Sequence, residues 1–231
     1  AGLPPALKLD RNEPFRGPVQ YRQSARPVKI GPLSLRVVGP NADNVARLRE
    51  DWAEKVATLT RGTTKKADAS AMIAAYVDES PYNLSSIVIL AACEGKTMLL
   101  TGDGRGDHTL AELKQAGLLR RGTLDVDLLK LPHHGSSRNV DQDYFDTIRA
   151  RHYVISADGA HSNPDVKTLE MISRSRRDDR FTIYLTYPYK EWRDRKTARA
   201  VERFFESEKA RGRKYRVVTR APNRPSIVVA L

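Results

Sequence analysis

The chain has 231 residues, of which 40% are hydrophobic and 29% are charged, so it can bury one good core or two small ones. No apolar stretch approaches the roughly 20 residues that a bilayer-spanning helix needs, which excludes a membrane span. The single cysteine, Cys93, excludes an internal disulfide and favours a reducing, cytoplasmic location. The formal net charge of +12 points to a polyanionic partner.

The positive charge is concentrated in residues 174–224, which hold 17 Lys/Arg against 7 Asp/Glu. Such a surface binds phosphate backbones, because each neutralised phosphate releases condensed counterions. The alternative is a solvated surface that merely keeps the protein soluble. Nucleic acid becomes the favoured partner if a hydrolytic site lies beside this stretch.

Six prolines within residues 1–32 interrupt helices and sheet ladders, which predicts an extended arm before a first strand at 33–38. Apolar residues then recur at spacings of three and four, which predicts an amphipathic helix with Asn41 or Asp43 as its N-cap. These residues are Val45, Leu48, Trp52, Val56 and Leu59. Residues 61–80 are polar and small, which predicts a loop with a short helix at 71–76.

Two segments rich in apolar residues, 85–92 and 96–101, predict a hairpin, and strands and helices alternate after it. The predicted helices lie at 109–116, 142–150, 165–173 and 195–210. The predicted strands lie at 125–131, 152–156, 181–185, 215–219 and 226–231. Such alternation is typical of an α/β fold in which helices cover a sheet, and we assign residues 33–231 to one domain.

Two groups of metal-binding residue types directly follow apolar strands. Asp103 closes the run 98–103, and His133 and His134 follow the run 129–131. Strand ends hold carboxylates and imidazoles rigidly, and the glycine-containing loops that follow leave room for a substrate. Gly-Asp after a strand is also common turn chemistry, but adjacent histidines before Gly-Ser are rarer. Together the two groups favour a hydrolytic metal site.

Three motifs occur in order along the chain: Asn83-Leu84-Ser85-Ser86, Thr101-Gly102-Asp103 and Pro132-His133-His134-Gly135-Ser136. In this order they resemble the metallo-β-lactamase-fold hydrolases, above all the hydrolase domain of bacterial DNA-uptake competence channels and its soluble relatives. The resemblance covers about residues 33–169. It implies the C-terminal portion of an αββα sandwich, of class α/β (α+β), with a mixed sheet covered by helices.

The resemblance also implies two divalent metal ions that share a water molecule, usually zinc, with Mn²⁺ or Mg²⁺ as alternatives. Asp103 would bridge both ions, and His134 or His133 would complete the ligands of the second ion, with a slight preference for His134. The other histidine would line the substrate pocket or support the ligands. A carboxylate between two dications lowers the pKa of the shared water toward neutrality, which allows attack on phosphorus or a carbonyl carbon.

The loop at 158–165 departs from the family pattern. Asn163 stands where members often have a histidine before proline. His161, two residues earlier, is either a donor to a leaving group or phosphate oxygen, or a loop histidine without a role. Asn83 takes a position that other branches fill with a metal-binding histidine. We expect Asn83, Ser136 and Asn163 to make hydrogen bonds around the metal ligands.

The family's His-x-His-x-Asp-His motif, which supplies most of the metal ligands, does not occur in the 231 residues. In the family this motif precedes the part that the chain resembles, and the chain begins at Ala1 rather than at a methionine. We therefore expect a partner: the N-terminal half of the same hydrolase, as a separate chain that carries the motif and is either cleaved off or encoded separately.

The leading hypothesis is a metal-dependent phosphodiesterase, foremost a nuclease, whose basic C-terminal region holds the nucleic acid. The candidate nucleic-acid-binding residues mix cations with an aromatic ring and are Lys190, Trp192, Arg193, Arg195, Lys196 and Arg199. One alternative is a non-catalytic nucleic-acid-binding or assembly module with a degenerate metal site. Another is a small-ester or lactone hydrolase, which the charge of +12 disfavours. Proteolytic activation would fit an effector of a bacterial defence system.

Overall fold

The computed structural model describes residues 15, 17–22, 26–60, 80–177 and 180–231. Within these ranges an eight-stranded sheet has its strands side by side in chain order. The strands are β1 (Val28–Ile30), β2 (Leu33–Gly39), β3 (Val88–Cys93), β4 (Lys96–Leu100), β5 (Leu124–Lys130), β6 (Ile148–Ile155), β7 (Thr182–Leu185) and β8 (Arg216–Thr219). The α-helices are α1 (Ala42–Thr60), α2 (Pro81–Leu84), α3 (Gly106–Gln115), α4 (Gln142–Thr147), α5 (Val166–Ser175) and α6 (Arg195–Ala210).

The sheet is mixed, with an antiparallel half and a parallel half. Strands β1 to β4 pair antiparallel, whereas β4 to β8 pair parallel. Helices α3, α4, α5 and α6 each connect two neighbouring parallel strands. The loops that follow β4, β5, β6 and β7 therefore meet at one edge of the sheet, here called the carboxyl edge. The α/β class and the mixed sheet with helices agree with the predicted fold class.

One face of the sheet, here called the covered face, carries the hydrophobic core. The sheet register places Leu99, Leu129, Tyr153 and Ile183 in one row across β4 to β7, and each is fully or almost fully buried. Apolar side chains from the four connecting helices belong to the same core: Leu113, Phe145, Ile172 and Val201. Burying each such side chain stabilises the fold by about 1.5–3 kcal/mol, so this face accounts for most of the driving force for folding.

The opposite face, here called the open face, is less well covered. Its central row consists of Leu100, Lys130, Val154 and Tyr184, which are register partners across β4 to β7. Leu100 is 39% exposed, and Ile30 in β1 is 50% exposed. In the described residues, strands and loops rather than helices line a cleft of about 730 Å³ on this face. Residues 225–229 form part of its wall.

Helix α1 confirms the predicted cap at Asn41, but its apolar stripe is largely exposed. The side chain of Asn41 accepts a hydrogen bond from the backbone N–H of Asn44 at 2.9 Å, as an N-cap does. The apolar stripe of the helix does not enter the core, because Trp52 is 55% exposed and Val56 is also exposed. The predicted loop at 61–80, with its short helix at 71–76, lies outside the described residues except for Ser80.

Three differences from the sequence prediction are larger than the small shifts at the ends of the other elements. The sheet begins at β1 inside the predicted arm, because residues 28–30 pair with β2. The helix predicted at 142–150 ends at Thr147, where the β-branched Ile148 starts β6. The strand predicted at 226–231 is wrong: Pro225 lacks the N–H that a ladder needs, and the segment lies across the open face instead of beside β8.

None of the helices in the described ranges combines the length and the apolar character that crossing a bilayer requires.

Candidate functional site

The exit from β4 is held on two sides. Gly102 has a left-handed φ of +53°, and a Cβ there would lie 3.0 Å from the Cβ of Ser86. The backbone N–H of Asp103 donates to the Ser86 hydroxyl at 3.1 Å, and the Thr101 hydroxyl donates to the Lys130 carbonyl at 2.6 Å. The carboxylate of Asp103 therefore projects from a fixed turn at the carboxyl edge.

The exit from β5 is an unusual backbone turn. His133 and His134 both have left-handed φ values, 44° and 58°, a conformation that side chains other than glycine adopt infrequently. The N–H of His133 donates to the Gly102 carbonyl at 3.2 Å, and the Gly135 carbonyl accepts from Asp165 at 3.1 Å. Neighbouring loops thus hold a turn that costs conformational energy, as is common at functional sites.

Asp103 and His134 meet between these two turns. The Nε2 atom of His134 lies 3.6 Å from Oδ1 of Asp103. The Nδ1 atom of His134 donates to the carbonyl of Ser156 at 2.6 Å, so in the neutral ring the lone pair is on Nε2, the atom that faces the Asp103 carboxylate. In a tetrahedral zinc site with bonds of about 2.0–2.1 Å, two ligand atoms lie about 3.4 Å apart. The observed spacing and tautomer therefore suit two ligands of one cation.

Lys130 is a neighbour of this pair that the sequence analysis missed. Its Nζ atom lies 3.8 Å from Oδ1 of Asp103 and donates to the Gly102 carbonyl at 2.8 Å. Burial lowers the pKa of Lys130, and the Asp103 carboxylate acts in the opposite direction. A charged residue inside the apolar run from Leu129 to Leu131 was the sequence signal for this role.

Ser86 and Ser156 were also missed, for different reasons. Ser86 belongs to the motif that contains Asn83, but it is the Ser86 hydroxyl that contacts the turn at Asp103. The Asn83 carbonyl accepts from the N–H of Ser86 at 3.0 Å, so Asn83 positions this serine through its backbone. Ser156 acts through its carbonyl, and no residue type in a sequence signals a backbone acceptor.

Of the other predicted site residues, His133 contacts His134 through an edge-on ring pair whose centroids lie 6.1 Å apart. Ser136, His161 and Asn163 make no hydrogen bond or ion pair with Asp103 or His134 in the described part of the chain. His161 is exposed on the loop after β6, and Asn163 is buried in the same loop. Ser136 is buried, and its hydroxyl accepts from the N–H of Arg138. No group of three or more His, Cys, Asp or Glu side chains forms a metal-binding cluster in the described part of the chain.

The predicted nucleic-acid-binding residues lie at the same carboxyl edge, after β7. The Arg193 guanidinium pairs with Asp158 at 2.7 Å, which joins this segment to the loop that carries His161. Lys190, Arg195, Lys196 and Arg199 are exposed cations. Trp192 requires a correction. Its side chain is 3% exposed, and its indole N–H donates to the Tyr187 carbonyl at 3.1 Å, so it is a core residue that cannot stack on a base.

The chain matches no protein-family model and no curated protein. The likeness to metallo-β-lactamase-fold hydrolases therefore depends on the three motifs and on the geometry around Asp103, and membership in that family is a proposal.

Proposed function

We propose that the chain is one part of a metal-dependent hydrolase of the metallo-β-lactamase type, foremost a phosphodiesterase acting on nucleic acid, and that a second polypeptide completes its site. The observation that carries this proposal is the 3.6 Å separation of His134 Nε2 and Asp103 Oδ1, with the imidazole tautomer fixed by Ser156. Asp103 and His134 would hold divalent metal, with zinc as the first choice and Mn²⁺ or Mg²⁺ as alternatives.

The role of the chain's own residues follows from their positions. Asp103 would provide the bridging carboxylate, and His134 would provide one imidazole nitrogen. When bound, two metal ions would lower the pKa of water toward neutrality for attack on phosphorus. Lys130 and the exposed His161 loop would face the substrate side of the same edge, where they could hold phosphate oxygens.

The need for a second polypeptide follows from the number of ligands. A catalytic zinc ion takes three protein ligands, and two ions need more than Asp103 and His134 can supply. The five histidines of the chain are His108, His133, His134, His152 and His161, and all lie in described residues. Since the described part of the chain brings only His134 into contact with Asp103, further imidazoles would have to come from another polypeptide.

The open face offers a surface on which such a partner can dock. Leu100 and Ile30 are large apolar residues that are 39% and 50% exposed, and the sheet pairing places them on the same face. Exposed apolar side chains on one face of a sheet are typical of a surface that packs against a second layer. The open face ends at Lys130 beside Asp103, so a docked layer would reach the metal site.

The proposed activity is tested on the native assembly, purified through a tag on this chain. We expect it to nick supercoiled plasmid in the presence of Mn²⁺ or Zn²⁺, and a chelator should abolish the nicking. Asp103→Asn should lower the nicking rate by more than the roughly 10- to 100-fold that is typical when a residue hydrogen-bonded to a metal ligand is replaced. His108→Gln, which alters a histidine whose Nδ1 lies 3.2 Å from the side-chain amide nitrogen of Asn44, is the matched control. An assembly that never nicks with either metal would reject the nuclease.

The second candidate is a non-catalytic nucleic-acid-binding or assembly module. The observation that favours it is the Lys130 ammonium group 3.8 Å from Asp103, because a side-chain cation there could replace a metal ion. Cobalt titration of the assembly separates the two candidates by its visible absorption. A degenerate site should give no tetrahedral cobalt spectrum, and Lys130→Met should then destabilise the fold by leaving Asp103 without its counter-charge.

A further inference from the structure

A second basic surface lies at the opposite edge of the sheet, where the parallel strands begin. A groove of about 490 Å³ runs there across β6, β7 and β8. Its polar lining residues, here called the basic groove, are Arg151, His152, Arg180, Thr182, Lys214 and Arg216. The register pairs His152 with Thr182 and Thr182 with Arg216, so these three side chains form one row on the open face.

Three of the four Lys/Arg cations of the basic groove have no carboxylate partner among the described residues. Arg180, Lys214 and Arg216 make no ion pair with any other described residue. Arg151 has a carboxylate neighbour, Asp127, whose Oδ1 lies 3.8 Å from its Nη1. That carboxylate is shared with Lys96 at 3.7 Å. Several cations held together without matching carboxylates repel one another, and an anion relieves this repulsion.

In a second groove, a carboxylate neutralises part of the arginine charge. This groove lies between α5 and α6 and is also rich in arginine, but Glu208 lies in its wall. Glu208 forms ion pairs with Arg211 and Arg213, both at 3.3 Å. Arg211 and Arg213 therefore already have an internal partner, whereas Arg180, Lys214 and Arg216 of the basic groove have none among the described residues.

The remaining lining of the basic groove suits phosphate rather than bases. Burial lowers the pKa of His152, so its ring is neutral at pH 7, and its Nδ1 is buried without a hydrogen-bond partner among the described residues. Phe181 is buried and stacks on Tyr215 with ring centroids 4.7 Å apart. Because no exposed aromatic ring lines the groove, base stacking of a single strand has no platform there.

We infer that the basic groove binds the phosphodiester backbone of a nucleic-acid duplex and forms a second contact outside the hydrolytic site. His152 lies four residues before Ser156 in the same extended segment, which corresponds to roughly 13 Å along the sheet. That distance is close to four base pairs of B-form rise, at about 3.4 Å each. Contacts at both edges would thus fix the orientation of a bound duplex relative to the strands. This inference goes beyond the proposed function, because the contact needs no metal.

The test is duplex binding by the 231-residue chain in the presence of EDTA, measured by fluorescence anisotropy of a labelled 20-base-pair duplex over a range of salt concentrations. The test variant is the triple substitution Arg180→Gln, Lys214→Gln and Arg216→Gln. We expect the slope of log K against log salt to fall by about 2 to 3, since each lost phosphate contact contributes about 0.9. At fixed low salt we expect roughly a tenfold or greater loss of affinity.

The control variant has the same change in charge at a distance from the groove. Arg47→Gln, Arg49→Gln and Lys114→Gln remove two arginines and one lysine that are exposed on α1 and α3. The control triple should change the salt slope by less than about 1. Asp178 and Asp179, which precede Arg180 and lie outside the described residues, are kept in both variants so that their charge is included.

Equal weakening by the two triples would overturn the inference, because net charge alone would then explain binding. Unchanged binding by the groove triple would overturn it as well. Thermal melting of each variant, monitored by circular dichroism, checks that the fold is retained. Thr182→Val supplies a second variant that leaves the charge unchanged, and it should lower affinity without altering the salt slope. Duplex binding is measured in EDTA and therefore does not depend on metal. A negative result in this assay is thus separate from a negative result for the proposed hydrolase, which is tested by metal content and by nicking.

Discussion

The two faces of the sheet differ although they are built from the same strands. Leu99 and Leu100 are neighbours in β4, yet Leu99 is fully buried beneath the connecting helices and Leu100 is 39% exposed on the open face. The covered face contains the layer that makes the chain fold. Among the described residues, no helix packs over the centre of the open face, which ends at Lys130, beside Asp103. The comparison shows that the two faces of one sheet differ in burial, and the face with less cover is the one that leads to the candidate site.

The largest expected effect is the difference in the free energy of unfolding between alanine variants of these two leucines. Leu99→Ala should lower the free energy of unfolding by about 2–5 kcal/mol, because it opens a cavity in a fully packed core. Leu100→Ala should cost less than about 1 kcal/mol in the isolated chain, because the side chain is already partly in water. Urea unfolding of both variants measures the difference, and equal losses would mean that the open face is as well packed as the covered face.

The second effect concerns a carboxylic acid among the buried groups near β2. Glu112 in α3 is buried, and this burial raises its pKa to about 7, although hydrogen bonds with Asn41 act in the opposite direction. The folded state therefore holds the proton more tightly than the unfolded state does. The resulting stabilisation is complete below the unfolded value of 4.5 and is lost as the pH rises through about 7.

Glu112→Gln should remove this pH dependence. We expect the native chain to lose on the order of 1–3 kcal/mol of stability between pH 5 and pH 8, and the Gln variant to lose much less over the same range. Glu170→Gln, at an exposed position in α5, is the control and should leave the native pH profile unchanged. Stability is measured by urea unfolding at each pH. Identical profiles for wild type and Glu112→Gln would contradict the assignment.

The smallest effect compares two adjacent serines at the carboxyl edge. Ser86→Ala removes the acceptor of the Asp103 N–H and should cost about 1 kcal/mol. Ser85→Ala removes a bond from an exposed hydroxyl to the Tyr82 carbonyl, and its cost should be smaller. In the assembly, Ser86→Ala should also weaken metal binding roughly 10- to 100-fold, whereas Ser85→Ala should not. The same metal affinity for both variants would show that Ser86 does not orient Asp103.

The convergence of Asp103 and His134 was predictable because it follows from strand ends. Both residues come directly after apolar runs, and parallel strands bring such ends to one edge. The α/β class was predictable from the alternation of strands and helices for the same reason. These inferences need only local periodicity and the short connections that follow each strand.

The failures have a common physical cause, which is that burial depends on the whole fold. Trp192 lies among charged residues in the sequence, yet the loop around Gly159 packs against it and removes it from the surface. The apolar pattern at 226–231 predicted a strand. A segment joins a sheet only if it pairs with an edge strand, and this segment crosses the open face instead of pairing with β8. The lysine within the apolar run at 129–131 indicated an unusual position for Lys130, but the sequence does not show that Asp103, distant along the chain, is its carboxylate partner.

The metal content of the native assembly, measured by elemental analysis after purification through a tag on this chain, is the most direct test of the proposal that Asp103 and His134 share a metal ion. We predict divalent metal, foremost zinc, at up to two ions per assembly, reduced by both Asp103→Asn and His134→Gln and unchanged by His108→Gln. A folded assembly without metal, or one that keeps its full metal content in both site variants, would contradict the account.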